Sequence, residues 1–260
     1  LLFSDVPKPN DADNQVRLAF LVPVPKPYKE FEKRFDLKIT TGYGMTEVNI
    51  PLYAPLDEEM PEGACGKSIP GFELRIVDEY DEELPHGQIG ELVVRHSEPY
   101  TLLSGYYNMP EKTLEAYRNL WFHTGDAMYR SEDGWYFFVD RIKDSIRRRG
   151  ENISSFEVEN VINSHPDVLE CAAIAIKNLL LTEDDVKVCV VLKPGKSLTP
   201  EELIRFCEPR MPYFHIPRYV EFMDALPKTP TDKVRKTELR ERGVTSATWD
   251  IEKTGIKIKR

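Results

Sequence analysis

No glycine occurs before Gly42, no two cysteines stand in a Cys-x-x-Cys pair, and no apolar run approaches the roughly 20 residues that span a bilayer. The chain does not open with a charged-then-apolar leader, and it begins at Leu1 rather than methionine, so its start need not be a domain boundary. The four cysteines (Cys65, Cys171, Cys189, Cys207) provide neither a disulfide framework nor a metal-ligand set. Cys171 and Cys189 lie in the apolar runs ECAAIAI and KVCVVL, where cysteine serves as a small buried hydrophobe, and this usage fits a reducing, cytoplasmic compartment. A broad excess of positive charge is also missing. The net charge is -9, which excludes the basic footprint of a nucleic-acid binder.

What is present is an ordinary globular composition, 41% hydrophobic and 30% charged over 260 residues, long enough for one large domain or two smaller ones. The charge is unevenly spread. Residues 1–140 carry 13 Lys/Arg against 25 Asp/Glu, whereas residues 141–260 carry 22 against 19, as expected of two units. Twenty prolines against fourteen glycines imply many stiff connectors.

The pattern of apolar residues changes along the chain. Residues 17–22 read as a buried strand, and Pro27 opens an amphipathic helix carrying Tyr28, Phe31 and Phe35. A strand over 37–40 leads into a Gly-rich turn at Thr41–Gly44. From about 72 to 140 the sequence is β-rich (FELRIVD, GELVVRH, DAMYRS, GWYFFVD), with a turn at Glu132-Asp133-Gly134. After Asp140 come a helix over 155–164, strands over 168–176 and 186–193, a helix over 200–208, a strand over 218–223 and a helix over 236–242. The fold class is α/β and α+β: a partial αβ unit over 1–60, a distorted β-barrel over 61–142, and a small α+β domain over 143–260. No internal repeat or low-complexity segment appears.

Four segments have side chains suited to chemistry. In Thr41-Gly42-Tyr43-Gly44-Met45-Thr46-Glu47, the glycines allow a backbone to approach a ligand, Tyr43 offers a flat face, the Thr46 hydroxyl suits a phosphate oxygen and Glu47 is a hard ligand for Mg²⁺. A Gly-rich loop with a solvated Thr-Glu pair is the better explanation of the tetrad taken alone. In Trp121-Phe122-His123-Thr124-Gly125-Asp126, Asp126 can accept two ribose hydroxyls or serve as a turn residue, and His123 reads as packing beside the aromatics. In the run from Asp140 to Ile153, Arg141 suits ribose or phosphate oxygens, Lys143 sits on the expected boundary, and Gly150 permits close contact with a thin substrate arm. The Arg147–Arg149 triplet suits either a phosphorylated ligand or an exposed strand face. In Leu226–Lys236, prolines stiffen a loop that presents lysines.

The order and spacing of TGYGMTE, GKSIPGFELRIVD, GELVVR, WFHTGD, DRIKD, RRRGENISSFEVE and PKTPTDKVRK over nearly the whole chain resemble the adenylate-forming superfamily. The flavour is that of its acyl-CoA synthetases of the crotonobetaine/carnitine-CoA ligase type. The resemblance implies an ATP-dependent acyl-CoA ligase that joins a carboxylic acid to AMP and then to CoA. It implies that Tyr43 and Gly44 flank adenine, Thr46 contacts the α-phosphate, Glu47 binds Mg²⁺, and Asp126 and Arg141 hold ribose. Lys143 becomes the hinge, Lys233 the adenylating lysine, and Gly150 part of the CoA tunnel.

Three departures stand out. The absence of glycine before Gly42 means that the family's Gly-rich phosphate loop is not in this sequence, implying the C-terminal half of such an enzyme, inactive without its N-terminal part. Leu21-Val22-Pro23-Val24-Pro25 stands where many relatives carry a glycine pair near adenine. Asp232 precedes Lys233 where glycine is commoner, either steadying the lysine or competing for it. A truncated nucleotide- or CoA-binding relative without catalysis, or an adenylating enzyme with another acceptor, remain as alternatives.

Overall fold

The computed structural model describes residues 6–24, 27–148, 151–178, 183–256 and 258. They form two compact units, Leu1–Val139 and Asp140–Arg260. The mixed α/β and α+β class read from the sequence is the one observed.

In the first unit, β1 (Leu18–Phe20) pairs in parallel with β2 (Lys38–Thr40), connected through helix α1 (Tyr28–Phe35). The helix starts after Pro27, and Tyr28 and Phe31 point inward beside Ile39, Ala54, Met60 and Trp135. The 3.6-residue period puts the charged residues on the other side, where Glu32 accepts from the Ile39 N–H at 2.7 Å and Arg34 pairs with Asp11 at 2.7 Å. Next come β3 (Gly42–Met45), β4 (Asn49–Tyr53), β5 (Ala64–Ser68), β6 (Phe72–Val77), β7 (Gly90–His96), helix α2 (Pro110–Ala116), β8 (Phe122–Arg130) and β9 (Tyr136–Arg141). These seven strands form one sheet in the order β3-β4-β5-β9-β8-β7-β6. Val48, Leu52, Leu92, Val94, Phe122 and Met128 fill its core. Each such side chain, fully buried, contributes about 1.5–3 kcal/mol of transfer free energy.

Two sequence expectations change here. The Gly-rich run is a strand rather than a turn. A Cβ on Gly42 would lie 2.7 Å from the Leu52 carbonyl oxygen, and one on Gly44 would lie 2.3 Å from that of Asn49. The two glycines therefore serve the close approach of β4. The β-rich segment also does not close into a barrel: β3 pairs only with β4 and β6 only with β7, leaving an open sheet with two edges among the described residues. The turn at 132–134 is present, with Gly134 at φ +82° and its N–H donating to the Ser131 carbonyl at 3.0 Å.

In the second unit, a hairpin of β10 (Ile146–Arg148) and β11 (Glu151–Ile153) precedes helix α3 (Ser155–Asn163). Ser154 caps that helix by accepting from the Glu157 N–H at 3.2 Å. Then follow β12 (Val168–Asn178), β13 (Glu183–Leu192), α4 (Pro200–Cys207), β14 (Tyr219–Phe222), α5 (Lys236–Arg242) and β15 (Trp249–Asp250). The sheet runs β12-β13-β14-β15. Helix α4 begins with a full capping box, Thr199 with Glu202, and Pro200 at its first position. Cys171 and Cys189 are buried, as read from their apolar runs, Cys207 is buried as well, and burial pushes the Cys207 thiol up to about 12.

Candidate active site

The first cluster surrounds the turn between β3 and β4. A cleft of about 540 Å³ is lined by residues that include Phe20, Tyr43, Gly44, Thr46, Asn49 and Ile50. Thr46 is exposed in the turn, beside the half-buried Glu47. Glu47 is tied at both ends: its carbonyl accepts from the Leu103 N–H at 2.7 Å, and its Oε1 accepts from the Tyr106 hydroxyl at 3.1 Å. Burial and then the Glu47 carboxylate hold the Tyr106 phenol above its ordinary range.

The Tyr43 hydroxyl donates to Asp126 Oδ2 at 2.6 Å. In the sheet order, β3 and β8 stand four places apart. At about 4.8 Å per step, a flat sheet would separate them by about 19 Å, beyond the reach of a tyrosine. The sheet must therefore curl until its faces bring the two residues together. The expected barrel is legible in that curl, although its edges do not pair. Burial, then the Asp126 carboxylate, pushes the Tyr43 phenol far above the usual tyrosine range.

Asp126 is presented by a bulge within β8 that Glu91 holds. Glu91 Oε1 accepts from the Gly125 N–H at 2.9 Å, and its Oε2 lies 2.9 Å from His123 Nδ1. Thr124 donates to the Leu92 carbonyl at 2.7 Å, and its Oγ1 accepts from the Asp126 N–H at 3.1 Å. Gly125 sits at φ +70°, where a side chain would be strained. His123 is consequently part of a polar cluster with Glu91, Asp81 and Arg118. Glu91 was not singled out in the sequence, although GELVVR contains it. Its partners lie 32 and 34 residues away, and only the pairing of β7 with β8 makes them neighbours.

The remaining candidates belong to the second unit. Arg141 is exposed at the end of β9, where its N–H donates to Asp140 Oδ1 at 2.7 Å. Buried Asp140 also accepts from the Ser155 N–H at 2.5 Å, fastening the start of α3. Lys143 is exposed in a single 3-10 turn, Ile142–Asp144. Of the arginine triplet, Arg147 is exposed, while Arg148 donates to the carbonyls of Phe214 and Ile216 at 3.3 and 2.8 Å and is a structural clamp. Arg149 and Gly150 lie outside the described residues. Lys233 is exposed in a tight hairpin, in which the Thr229 N–H donates to the Lys233 carbonyl at 2.8 Å.

Among the described residues, no three or more His, Cys, Asp or Glu side chains group as a metal site. Glu47 is a lone hard carboxylate in an open turn. That suits Mg²⁺, which uses one or two protein carboxylates together with ligand phosphates and water.

Residues 18–107 match the model of the AMP-binding enzyme family, and residues 157–233 match that of the AMP-binding enzyme C-terminal domain. The chain belongs to the adenylate-forming superfamily. Within it, the chain is similar to the crotonobetaine/carnitine–CoA ligase of Citrobacter koseri, at 38% identity over 81% of the chain and 41% of the relative. The Shigella dysenteriae ligase is 34% identical over 90% of the chain and 46% of the relative. Among solved structures, ATP-bound MatB from Rhodopseudomonas palustris matches 87% of the chain and 44% of its own, with TM-score 0.73 and 29% identity. The O-succinylbenzoate coenzyme A synthetase of Bacillus subtilis in complex with AMP matches 91% and 47%, with TM-score 0.76 and 25% identity. The chain thus spans somewhat less than half the length of these relatives. Among the described residues, no helix is long and apolar enough to cross a membrane.

Proposed function

We propose that these residues form the nucleotide-side and lysine-bearing part of a cytoplasmic ATP-dependent acyl-CoA ligase. The observation that carries this reading is the Tyr43–Asp126 pair beside an open cleft that also holds Gly44 and Thr46. Asp126 is half-buried and aimed by the β8 bulge that Glu91 braces, and a carboxylate so held can accept both hydroxyls of a ribose. Adenine lies against Tyr43 and Gly44, and Thr46 donates to the α-phosphate. Arg141 adds a second contact to ribose.

A carboxylate is a poor acyl donor, so the acid attacks the α-phosphorus of ATP and expels pyrophosphate. Charge accumulates on the phosphoryl oxygens, where the Lys233 ammonium offsets it. Glu47 would hold Mg²⁺, whose chemistry when bound is to neutralise phosphate charge. The CoA thiol then attacks the acyl carbon, and AMP leaves. Lys233 is needed in the first step only, so a hinge at Lys143 would withdraw it, and the stretch around Gly150 would line the path of CoA.

The intact enzyme also needs a Gly-rich loop for the β- and γ-phosphates, and the sequence before Gly42 contains no glycine. The two-stranded parallel pair β1-β2 leaves Leu18, Phe20 and Val22 exposed. Parallel strands are ordinarily covered on both faces, which supports an N-terminal part of the same enzyme as the missing cover. On this reading the 260 residues alone do not catalyse exchange. Calorimetric titration with AMP tests the nucleotide site: AMP binds, and both Asp126→Ala and removal of the ribose hydroxyls weaken it. Equal affinity for AMP and its 2′,3′-dideoxy analogue would contradict the role of Asp126.

A further inference from the structure

The hairpin that carries Lys233 also carries a carboxylate next to it, and the geometry shows where that carboxylate goes. Further contacts close the turn besides the Thr229–Lys233 bond. The Asp232 N–H donates to the Thr229 carbonyl at 2.9 Å, the Lys233 N–H to Thr229 Oγ1 at 3.1 Å, and the Arg235 N–H to the Pro227 carbonyl at 2.8 Å. Asp232 occupies the left-handed region, φ +63°, which favours glycine. A non-glycine residue at that position costs backbone energy, so its side chain calls for an explanation. Its Oδ1 lies 3.2 Å from Lys228 Nζ, and the same ammonium lies 2.9 Å from Glu170 Oε2 on β12. Lys228 is half-buried, and the Glu170 and Asp232 carboxylates both raise its affinity for its proton. Exposed Lys233 has no carboxylate within ion-pair distance among the described residues.

We propose that Lys228 is a positioning residue for Lys233: bridging Glu170 and Asp232, it fixes the hairpin to β12 and turns the adjacent carboxylate away from the Lys233 ammonium. This rests on the reading of Lys233 as the adenylating lysine, because an ammonium already paired with its neighbour offers less charge to a phosphate. Without Lys228, Asp232 has one cation beside it in sequence, Lys233, and the two pair.

Acetylation of the 260-residue chain with acetic anhydride at fixed pH, read by mass spectrometry at Lys233 relative to exposed Lys253, tests this without any adenylation activity. An ammonium paired with a carboxylate keeps its proton and is acylated more slowly. Lys228→Gln should slow Lys233 labelling about two- to threefold, the size of an exposed ion pair. Adding Asp232→Asn should restore it. Labelling that rises or stays unchanged in Lys228→Gln overturns the proposal, since a merely loosened hairpin behaves so. A fall that Asp232→Asn does not reverse overturns it equally. If Lys233 proves dispensable for adenylation while this pattern holds, the role of Lys233 fails and the clamp stands.

Discussion

Tyr43 and Asp126, 83 residues apart, meet at 2.6 Å because the first unit's sheet curls on itself. Tyr43→Phe removes the donor but keeps the ring, and should cost about 1 kcal/mol, as a single hydrogen bond does. The sign with pH follows from the direction of the shift. A phenol raised in the folded state by burial and by Asp126 keeps its proton where the unfolded chain loses it. Stability from Tyr43 is therefore complete below the ordinary tyrosine value and declines as pH rises above about 10. Denaturant midpoints at pH 8 and above 10 should fall further apart in the parent than in Tyr43→Phe.

Glu91 holds the Gly125 N–H and His123 together. Glu91→Ala leaves that amide without its acceptor and should destabilise the chain by about 1–3 kcal/mol. Glu91→Gln keeps an acceptor and should recover most of the loss. Amide hydrogen exchange at Gly125 should accelerate in the alanine variant and much less in the glutamine one.

In the second unit, Lys187 and Glu221 form a fully buried ion pair at 2.7 Å, with Thr248 donating to the same carboxylate at 2.6 Å and Arg242 at 2.8 Å from its other oxygen. Burial opposes the Glu221 charge, but Lys187, Thr248 and Arg242 outweigh it and lower the carboxyl below its ordinary value. That stability is present above the unfolded value near 4.5 and is lost as pH falls through the lower folded one. Lys187→Met removes the fully buried partner and leaves Glu221 to Thr248 and the exposed Arg242, and should cost about 3 kcal/mol, whereas Lys187→Met with Glu221→Leu should cost much less. Urea denaturation of the two variants measures the difference.

Much of the fold was legible because the apolar period is unambiguous where one face is buried. Helix α5 falls at residues 236–242, and β7 covers GELVVRH, as read. The strand at Gly42–Met45 was illegible because glycine announces a turn, whereas here it admits β4, a fact about β4 rather than about the run itself. The charge of Asp232 could not be assigned for a similar reason. Its partner Lys228 is local, but the Glu170 that fixes Lys228 is 58 residues away across the sheet. Motif residues such as Tyr43 and Asp126 were visible, but Tyr43 was read into the αβ segment and Asp126 into the β-rich one, so the single sheet that joins them was not.

The most direct test separates the two half-reactions in an exchange-competent polypeptide that contains these residues. Lys233→Ala should abolish carboxylate-dependent ATP–pyrophosphate exchange but spare thioester formation from a supplied acyl-adenylate and CoA, and the 260 residues alone should show no exchange. Equal loss of both half-reactions in Lys233→Ala, or robust exchange by the 260 residues alone, would contradict this expectation.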